Sequence, residues 1–436
     1  MTADEVLRRA AEEGVRFVRL QFTDILGILK NVVISRRDLG RALDGVITFD
    51  GSSIDGFVRI EESDMVLRAD PATWCVFPWS EPGARTARLI CDVCRTDGRS
   101  FEGCPRTALK RAIETAQQLG YALHAGPEAE FFLFLTDERG RPTTQTHDTG
   151  GYFDLSPVDK GEQARRAMVL TLEEMGFQFE ASHHENSPGQ HEIRFAHGEA
   201  LATADNLVTF RHVVRRVAAR HGLHATFMPK PIYGINGCGM HIHLSLHKAG
   251  RNQFEGKPLS AIGLQFMAGL LHHARGMCAV TNPLVNSYKR LVPGYEAPVD
   301  IAWSEQNRSP LVRVPAAAGA DTRLELRSPD PSCNPYLALA VILMAGLDGI
   351  RRKLPAPPPV NRNLYRLSAE ERRQFGVGSL PRNLLEAVGE LERDEVVRSA
   401  LGEHIAGRYI AAKQVEWDVF HDQVHDWEVG EYLSRY

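Results

Sequence analysis

The stretch GPEAEFFLF, residues 126–134, places two glutamates inside a run that otherwise reads as a buried strand. In a strand, residues i and i+2 share a face, so Glu128 and Glu130 point the same way, beside Phe132 and Phe134. Burying one unpaired carboxylate is costly, and burying two neighbours costs more. Something on that face has to carry positive charge.

The 436 residues suffice for two domains or one large domain with an appendage. Hydrophobic residues make up 43% and charged residues 24%, as in ordinary globular proteins. A net charge of −4 offers no basic field for nucleic acid or for an anionic membrane. The opening MTADEVLRRAAEEGVRF reads as a charged amphipathic helix and not as a signal peptide. The longest apolar run, 336–347, is too short to span a bilayer and is expected to be a buried helix. Seven scattered cysteines and no secretion signal point to a reducing cytoplasm. Cys91 and Cys94 form a lone CxxC inside a strand-like segment and read as two ordinary thiols.

VRFVRLQFTDILGILKNVVIS (15–35) alternates apolar and polar residues about a turn near Asp24, a hairpin pattern. ARLICDVCRTDG (87–98) is a further strand and turn. GCPRTALKRAIETAQQLG (103–120) is a helix, with Pro105 at its first turn and Gly120 as its stop. A domain boundary is therefore expected near residue 104, dividing the chain into 1–104 and 105–436. Beyond it, helices are predicted at 161–175 and 205–221, strands at 178–182, 191–195, 239–246 and 323–327, and a mostly helical tail from 380. LPAPPPV (354–360) is an extended connector.

Other strands also carry charge on one face. ASHHENSPGQHEIRF (181–195) supplies Glu185 and Glu192. NGCGMHIHLSL (236–246) puts His241 and His243 on one face, and TRLELRS (322–328) puts Arg323, Glu325 and Arg327 opposite Leu324 and Leu326. Together these predict a curved sheet or partial barrel lining a charged cavity. Converging carboxylates with a single imidazole suit Mg²⁺ or Mn²⁺, and arginines beside them suit anionic substrates. The combination points to phosphoryl transfer on a small acidic molecule. Taken singly, each motif has a blander reading: an edge strand, a pair of satisfied histidines, a surface ion ladder. GRNQFEGKP (250–258) is no P-loop, because its spacing is one residue too long and Pro258 replaces the metal-binding hydroxyl.

FDGSSIDGF, GPEAEFFLF, ASHHENSPGQHEI, NGCGMHIHLSL, KRLVPGYEAP, QNRSPLVRVP and RLELRSPDPSCNPYLA, in that order, resemble type I bacterial glutamine synthetase, and the resemblance runs nearly end to end. It implies an α+β fold: an N-terminal β-grasp domain and a C-terminal catalytic domain with a curved antiparallel sheet flanked by helices. It further implies a dodecamer of two hexameric rings, with each active site shared between neighbouring subunits. The implied reaction joins ammonia to L-glutamate at the expense of ATP, through γ-glutamyl phosphate.

Carried over by motif, Glu130, Glu185 and Glu192 would hold one Mg²⁺ or Mn²⁺, and Glu128, His241 and Glu325 a second. Asn236, Gly237, Arg290 and Arg327 would hold glutamate, with Glu296 and Arg308 beside it. Arg308 would stabilise the transferred phosphoryl group. Arg313 and Arg323 would contact the nucleotide phosphates, and Glu180, Phe195, His243 and Ser245 the rest of ATP. Asp50 of a neighbouring subunit would bind and deprotonate ammonium, with Ser53, Tyr152, Glu185 and Glu296, the last on a closing flap. Close agreement of FVRIEESDM (57–65) points to the α-type branch and to feedback inhibition by glutamine, with Arg59 as relay; the plainer reading pairs Arg59 with Glu61 or Glu62. Tyr365 lies where the β-type branch is adenylylated, but the insertion of that branch is missing, so no adenylylation is expected. The branch also raises a nitrogen-responsive transcription repressor as a partner. Cys238 replaces a serine common in the family, and its oxidation could disturb the adjacent strand. Two rivals are a ligase acting on a bulkier amine, which the small anionic pocket of Asp50 and Glu296 opposes, and a silent homologue, which the complete ligand set opposes.

Overall fold

The computed structural model of the protein describes every residue except 55, 57–63, 82, 318, 363, 365 and 366, so the expectations for Arg59 and Tyr365 lie outside the described residues. The expected N-terminal helix is α1 (Ala3–Glu12), with a capping box at Thr2 and Glu5. The hairpin forms as β1 (Val15–Thr23) and β2 (Leu29–Ser35). With β3 (Ile47–Asp50), β4 (Asp64–Ala69) and β5 (Arg85–Arg95) it builds a sheet of order β2–β1–β5–β4–β3, in which β1 and β5 are parallel. Cys91 and Cys94 are buried, free thiols in β5.

The second sheet surrounds a long strand. After α2 (Pro105–Gln118) come β6 (Ala122–Thr136), α3 (Glu162–Glu174), β7 (Phe179–His184), β8 (Gln190–Phe195), α4 (Ala200–Arg220) and β9 (Met240–Lys248). Helices α5 (Ala261–His272) and α6 (Ala274–Thr281) follow, then short strands β10 (Trp303–Ser304), β11 (Val312–Arg313) and β12 (Leu324–Leu326). The order β10–β11–β12–β9–β6–β8–β7 is antiparallel apart from β10 with β11. The apolar run expected to be buried is α7 (Pro335–Arg352), which is apolar all round and lies within the core. The tail is helical, as α8 (Leu384–Arg393), α9 (Glu395–Leu401) and α10 (Glu403–His421) show. Helix α4 begins at Ala200, earlier than expected: its first residues, ALATA, favour helix but carry no apolar stripe to mark it.

Alternation along β6 sorts its two faces. Ala125, Ala129, Phe131 and Leu133 pack into the helix-covered core, while Phe132 and Phe134 join a separate cluster with Cys238. Glu128 and Glu130 share the face of Phe132 and Phe134, as the spacing predicts.

Two contacts bind the sheets together. Asn334 caps α7, its Oδ1 accepting from the N–H groups of Tyr336 (3.1 Å) and Leu337 (3.4 Å). Its Nδ2 donates to the carbonyls of Asp24 (3.0 Å) and Ile25 (3.3 Å) in the β1–β2 turn. Gly27 of that turn has φ +85°, and a Cβ there would lie 2.9 Å from Asn334 Cα, so only glycine fits. The second contact is Arg106 at the start of α2, which is 3% exposed and lies 2.7 Å from Asp70, 2.9 Å from Asp92 and 2.9 Å from Asp205. Burial alone would discourage its charge, but Asp205 and Asp92 hold it firmly protonated. Replacing it leaves buried carboxylates facing one another. R106L is expected to lower unfolding free energy by about 3–5 kcal/mol, read as a shifted urea midpoint; a shift within about 0.5 kcal/mol would show that the cluster does not hold the two sheets together.

Candidate active site

Strand register brings the predicted residues into two rows across the second sheet. In the first, Glu130 on β6 faces Glu192 on β8, which faces His183 on β7. In the second, Arg194 on β8 faces Glu128 on β6, which faces His241 on β9. His243 then faces Glu325 on β12, and Glu325 faces Arg313 on β11. Two residues of strand separate the rows, about 7 Å. Glu128, Glu130, Glu185, Glu192 and Glu325 are all less than a tenth exposed, yet all line one cavity of about 410 Å³. Two groups of candidate ligands lie on or beside these rows: Glu128 with His241 and Glu325, all lining the cavity, and His183 with Glu185 and Glu192, of which the two glutamates line it.

Crowded carboxylates repel one another, but the surroundings move them in different directions. Burial, then Glu185 and Glu192, raises the Glu130 carboxyl well above its usual range. Burial and the Glu128 and Glu185 charges push Glu192 up to about 7. Glu325 goes the other way: burial opposes its charge, but Arg327, His241 and Arg313 hold it at about 2. Hydrogen bonds from His241 and His243 outweigh burial at Glu128 and depress its pKa too. Burial and Arg327 lower His241 to about 4, leaving a neutral imidazole with a lone pair to offer.

Arginines surround these acids. Arg194 Nε donates to Glu192 Oε1 at 2.7 Å and lies 3.2 Å from Glu128 Oε1. Arg313 and Arg327 both bond Glu325, and Arg327 Nε is buried without a partner. Arg290 donates to the carbonyls of Ser328 (2.7 Å) and Arg327 (3.2 Å), which aims its fork at the cavity that it lines. Close backbone approach needs two glycines here: a Cβ at Gly237 would lie 2.2 Å from Pro229 O, and one at Gly239 would lie 2.5 Å from Arg290 Nη2. Asn236, Gly237, Tyr152, Glu296 and Arg308 line the same cavity. Glu296 is a non-glycine residue at φ 57°, and its Oε2 accepts from Asn186 Nδ2 (3.1 Å) and Asn236 Nδ2 (3.4 Å). Lys230 Nζ sits 3.9 Å over the neighbouring Tyr295 ring.

A second chamber of about 290 Å³ adjoins the first, with Glu128, Arg194, His243 and Arg323 lining both. It is lined as well by Glu180, Phe195 and Ser245. Asp50 and Ser53 line neither chamber among the described residues; both are exposed, and Asp50 Oδ1 accepts from the Ser52 N–H (2.8 Å) and hydroxyl (2.7 Å).

Sequence reasoning missed His183, Gln190, Arg194 and Asn186. Gln190 and Arg194 flank Glu192 at i−2 and i+2, so the alternation that identified Glu128 and Glu130 could have found them. His183 could not be told from His184, because the strand's phase is settled only by its pairing with β8. Cys238 is fully buried, and burial and Glu130 raise its thiol well above the usual value, so little reactive thiolate forms.

The raised carboxylates set a pH dependence. A carboxyl whose folded pKa lies above its unfolded one binds more protons in the folded state, so stability falls as pH rises between the two values. For Glu192 the window runs from the unfolded value near 4.3 to about 7. In chelator, the chain should lose stability across that window, and E192Q should flatten the loss. An unchanged slope in E192Q would place the effect elsewhere.

Residues 102–432 match the family described as glutamine synthetase, catalytic domain, and residues 14–96 the one described as glutamine synthetase, beta-Grasp domain. The chain is 57% identical over 439 residues to glutamine synthetase of Clostridium saccharobutylicum, covering 100% of this chain and 99% of the relative. It is 58% identical over 443 residues to that of Thermus thermophilus, with the same coverage. Among solved structures it is similar to a GmaS/ADP complex, with TM-score 0.90 and 35% identity over 98% of this chain and 99% of that one. It is also similar to Plasmodium falciparum glutamine synthetase, with TM-score 0.87 and 25% identity over 99% of both chains.

Proposed function

Since the chain belongs to the glutamine synthetase family, which ligates ammonia to glutamate to give glutamine, we propose a course for that reaction through γ-glutamyl phosphate in the two-chambered cavity. The observation that carries it is the convergence of Glu128, Glu325 and His241 with Glu130, Glu185 and Glu192, on or beside neighbouring rows of one sheet and facing guanidinium groups inside one cavity.

The donor sets fit hard divalent cations: buried carboxylates with an imidazole each, two of the carboxyls raised for want of counter-charge. Glu130, Glu185 and Glu192, joined by His183, would hold one Mg²⁺ or Mn²⁺, and Glu128, His241 and Glu325 the other. Bound there, the ions supply positive charge against both the carboxylates and the ATP phosphates. Arg290, Arg327, Asn236 and the Gly237 backbone hold glutamate, the free Arg327 Nε giving one more donor. Arg308, Arg313 and Arg323 meet the phosphates, and the second chamber takes the rest of the nucleotide. A structural relative solved with ADP supports a nucleotide there.

The γ-carboxylate attacks the terminal phosphoryl group, the bond to the β-phosphate breaks and ADP leaves, and Arg308 stabilises the charge that develops. The acyl phosphate must then be kept from water. Glu296, held by Asn186 and Asn236, with Tyr295 against Lys230, forms the cover. Asp50 and Ser53 come from a neighbouring subunit in a ring-built dodecamer. Their exposure and their absence from this chain's own cavity support that placement. Asp50 binds ammonium and, with Glu296, takes its proton; the ammonia released attacks the acyl carbon of γ-glutamyl phosphate, and inorganic phosphate leaves. Glutamine feedback belongs to the same reading, with Arg59 as relay.

Two experiments test it. Phosphate and glutamine should appear together, only with ATP, glutamate and ammonium all present; phosphate release that ignores ammonium but rises with a polyamine would reassign the amine substrate. D50A and R308A should each be nearly inactive alone. Dissociated and reassembled together, they should recover activity in about a quarter of sites, those pairing an intact Asp50 with an intact Arg308 across subunits. No recovery in mixed assemblies of verified composition would put Asp50 outside a shared site.

A further inference from the structure

The second chamber is lined by four histidines, His124, His197, His243 and His247, and by the buried hydroxyls of Ser245 and of Thr322, the latter donating to the Gly319 carbonyl at 2.9 Å. His243 is committed elsewhere. Its Nδ1 accepts from Arg323 Nε (3.2 Å) and its Nε2 donates to Glu128 Oε1 (2.8 Å), which sets its tautomer. The Ser245 hydroxyl instead lies between two other rings, 2.8 Å from His197 Nε2 and 3.0 Å from His247 Nε2. His124 faces Ser245 across the β6–β9 pairing and stacks on His247, with centroids 4.2 Å apart and planes 22° apart, which steadies that ring. Gly126 leaves room for His197, whose Nδ1 would lie 3.0 Å from a Cβ at that position. Burial and the neighbouring imidazoles hold His197 near 3, so it stays neutral.

A serine hydroxyl has one proton and two lone pairs. If one imidazole donates to it and the other accepts its proton, one lone pair remains. We propose that His197 and His247 are positioning residues that hold Ser245 in this state, so that it offers the chamber an acceptor and thereby favours an amino-purine over a keto-purine nucleotide. The exocyclic amino group of adenine donates to that lone pair. The keto oxygen of hypoxanthine or guanine would meet it acceptor to acceptor, leaving a buried group unpaired. This rests on the reading of the second chamber as the nucleotide site.

The experiment compares ATP with ITP, which exchanges the 6-amino group for a keto oxygen and protonates the adjacent N1, in the full-length enzyme and in H197F and H247F. The unaltered enzyme should show a KM for ATP about tenfold below that for ITP, the worth of one good hydrogen bond. Each variant should raise KM for ATP several-fold, leave KM for ITP nearly unchanged and leave kcat within about twofold. H197Q, which keeps a polar atom beside Ser245, should recover part of the preference. Equal loss for both nucleotides, or an undiminished preference in both variants, would overturn the proposal. Should one variant fail to fold, the other and H197Q carry the same comparison. Photolabelling with 8-azido-ATP separates this from the underlying reading. A label outside the segments that line the chamber, 124–128, 180, 194–197, 243–247 and 320–323, would remove the base from the chamber altogether. A label within it, with the ATP preference intact in the variants, would sink the positioning role alone.

Discussion

Antiparallel pairing of β6 with β8 and β9 is the constraint on which the site depends. It sets Glu130 against Glu192, and Glu128 against both Arg194 and His241. Because side chains alternate with period two, a slip of one residue would turn each of these groups into the helix-packed core. The apolar residues on the opposite face, Ala125, Ala129, Phe131 and Leu133, forbid that slip. The same hydrophobic burial that stabilises the sheet therefore holds the carboxylates in register.

That arrangement is electrostatically uneven, and the unevenness divides the labour. Near Glu325 and Glu128, guanidinium and imidazole groups favour the ionised carboxylate. Around Glu130 and Glu192, acids face acids and the protein supplies too little counter-charge. Such a region is costly in an empty chain and becomes favourable only with a cation, which is what a binding site for a hard metal requires. The neighbouring second chamber is the opposite case. There the His197 and His247 rings both bond the Ser245 hydroxyl, beside Arg194 and Arg323.

The connection between the two sheets is polar and local. Asn334 spans the β1–β2 turn and the start of α7, and Arg106 gathers acids from both sides. Both sit at helix N-termini, where free backbone N–H groups and helix direction already favour oxygen ligands.

Alternation by itself sufficed to pair Glu128 with Glu130, His241 with His243, and Glu325 with Arg323 and Arg327, because a strand's two faces follow from backbone geometry within a few residues. The buried helix at 335–352 and the β1–β2 hairpin were legible for the same local reason. Ligand roles came from resemblance and not from spacing. What only the tertiary structure decided was which strands lie side by side. The choice of His183 over His184, the contact of Arg194 with both Glu128 and Glu192, and the clasp of Asn186 on Glu296 depend on pairing between segments far apart in the chain. The opposed pKa shifts of similar glutamates follow from that same assembly, since a carboxylate's charge is set by what surrounds it in space and not by its neighbours in sequence.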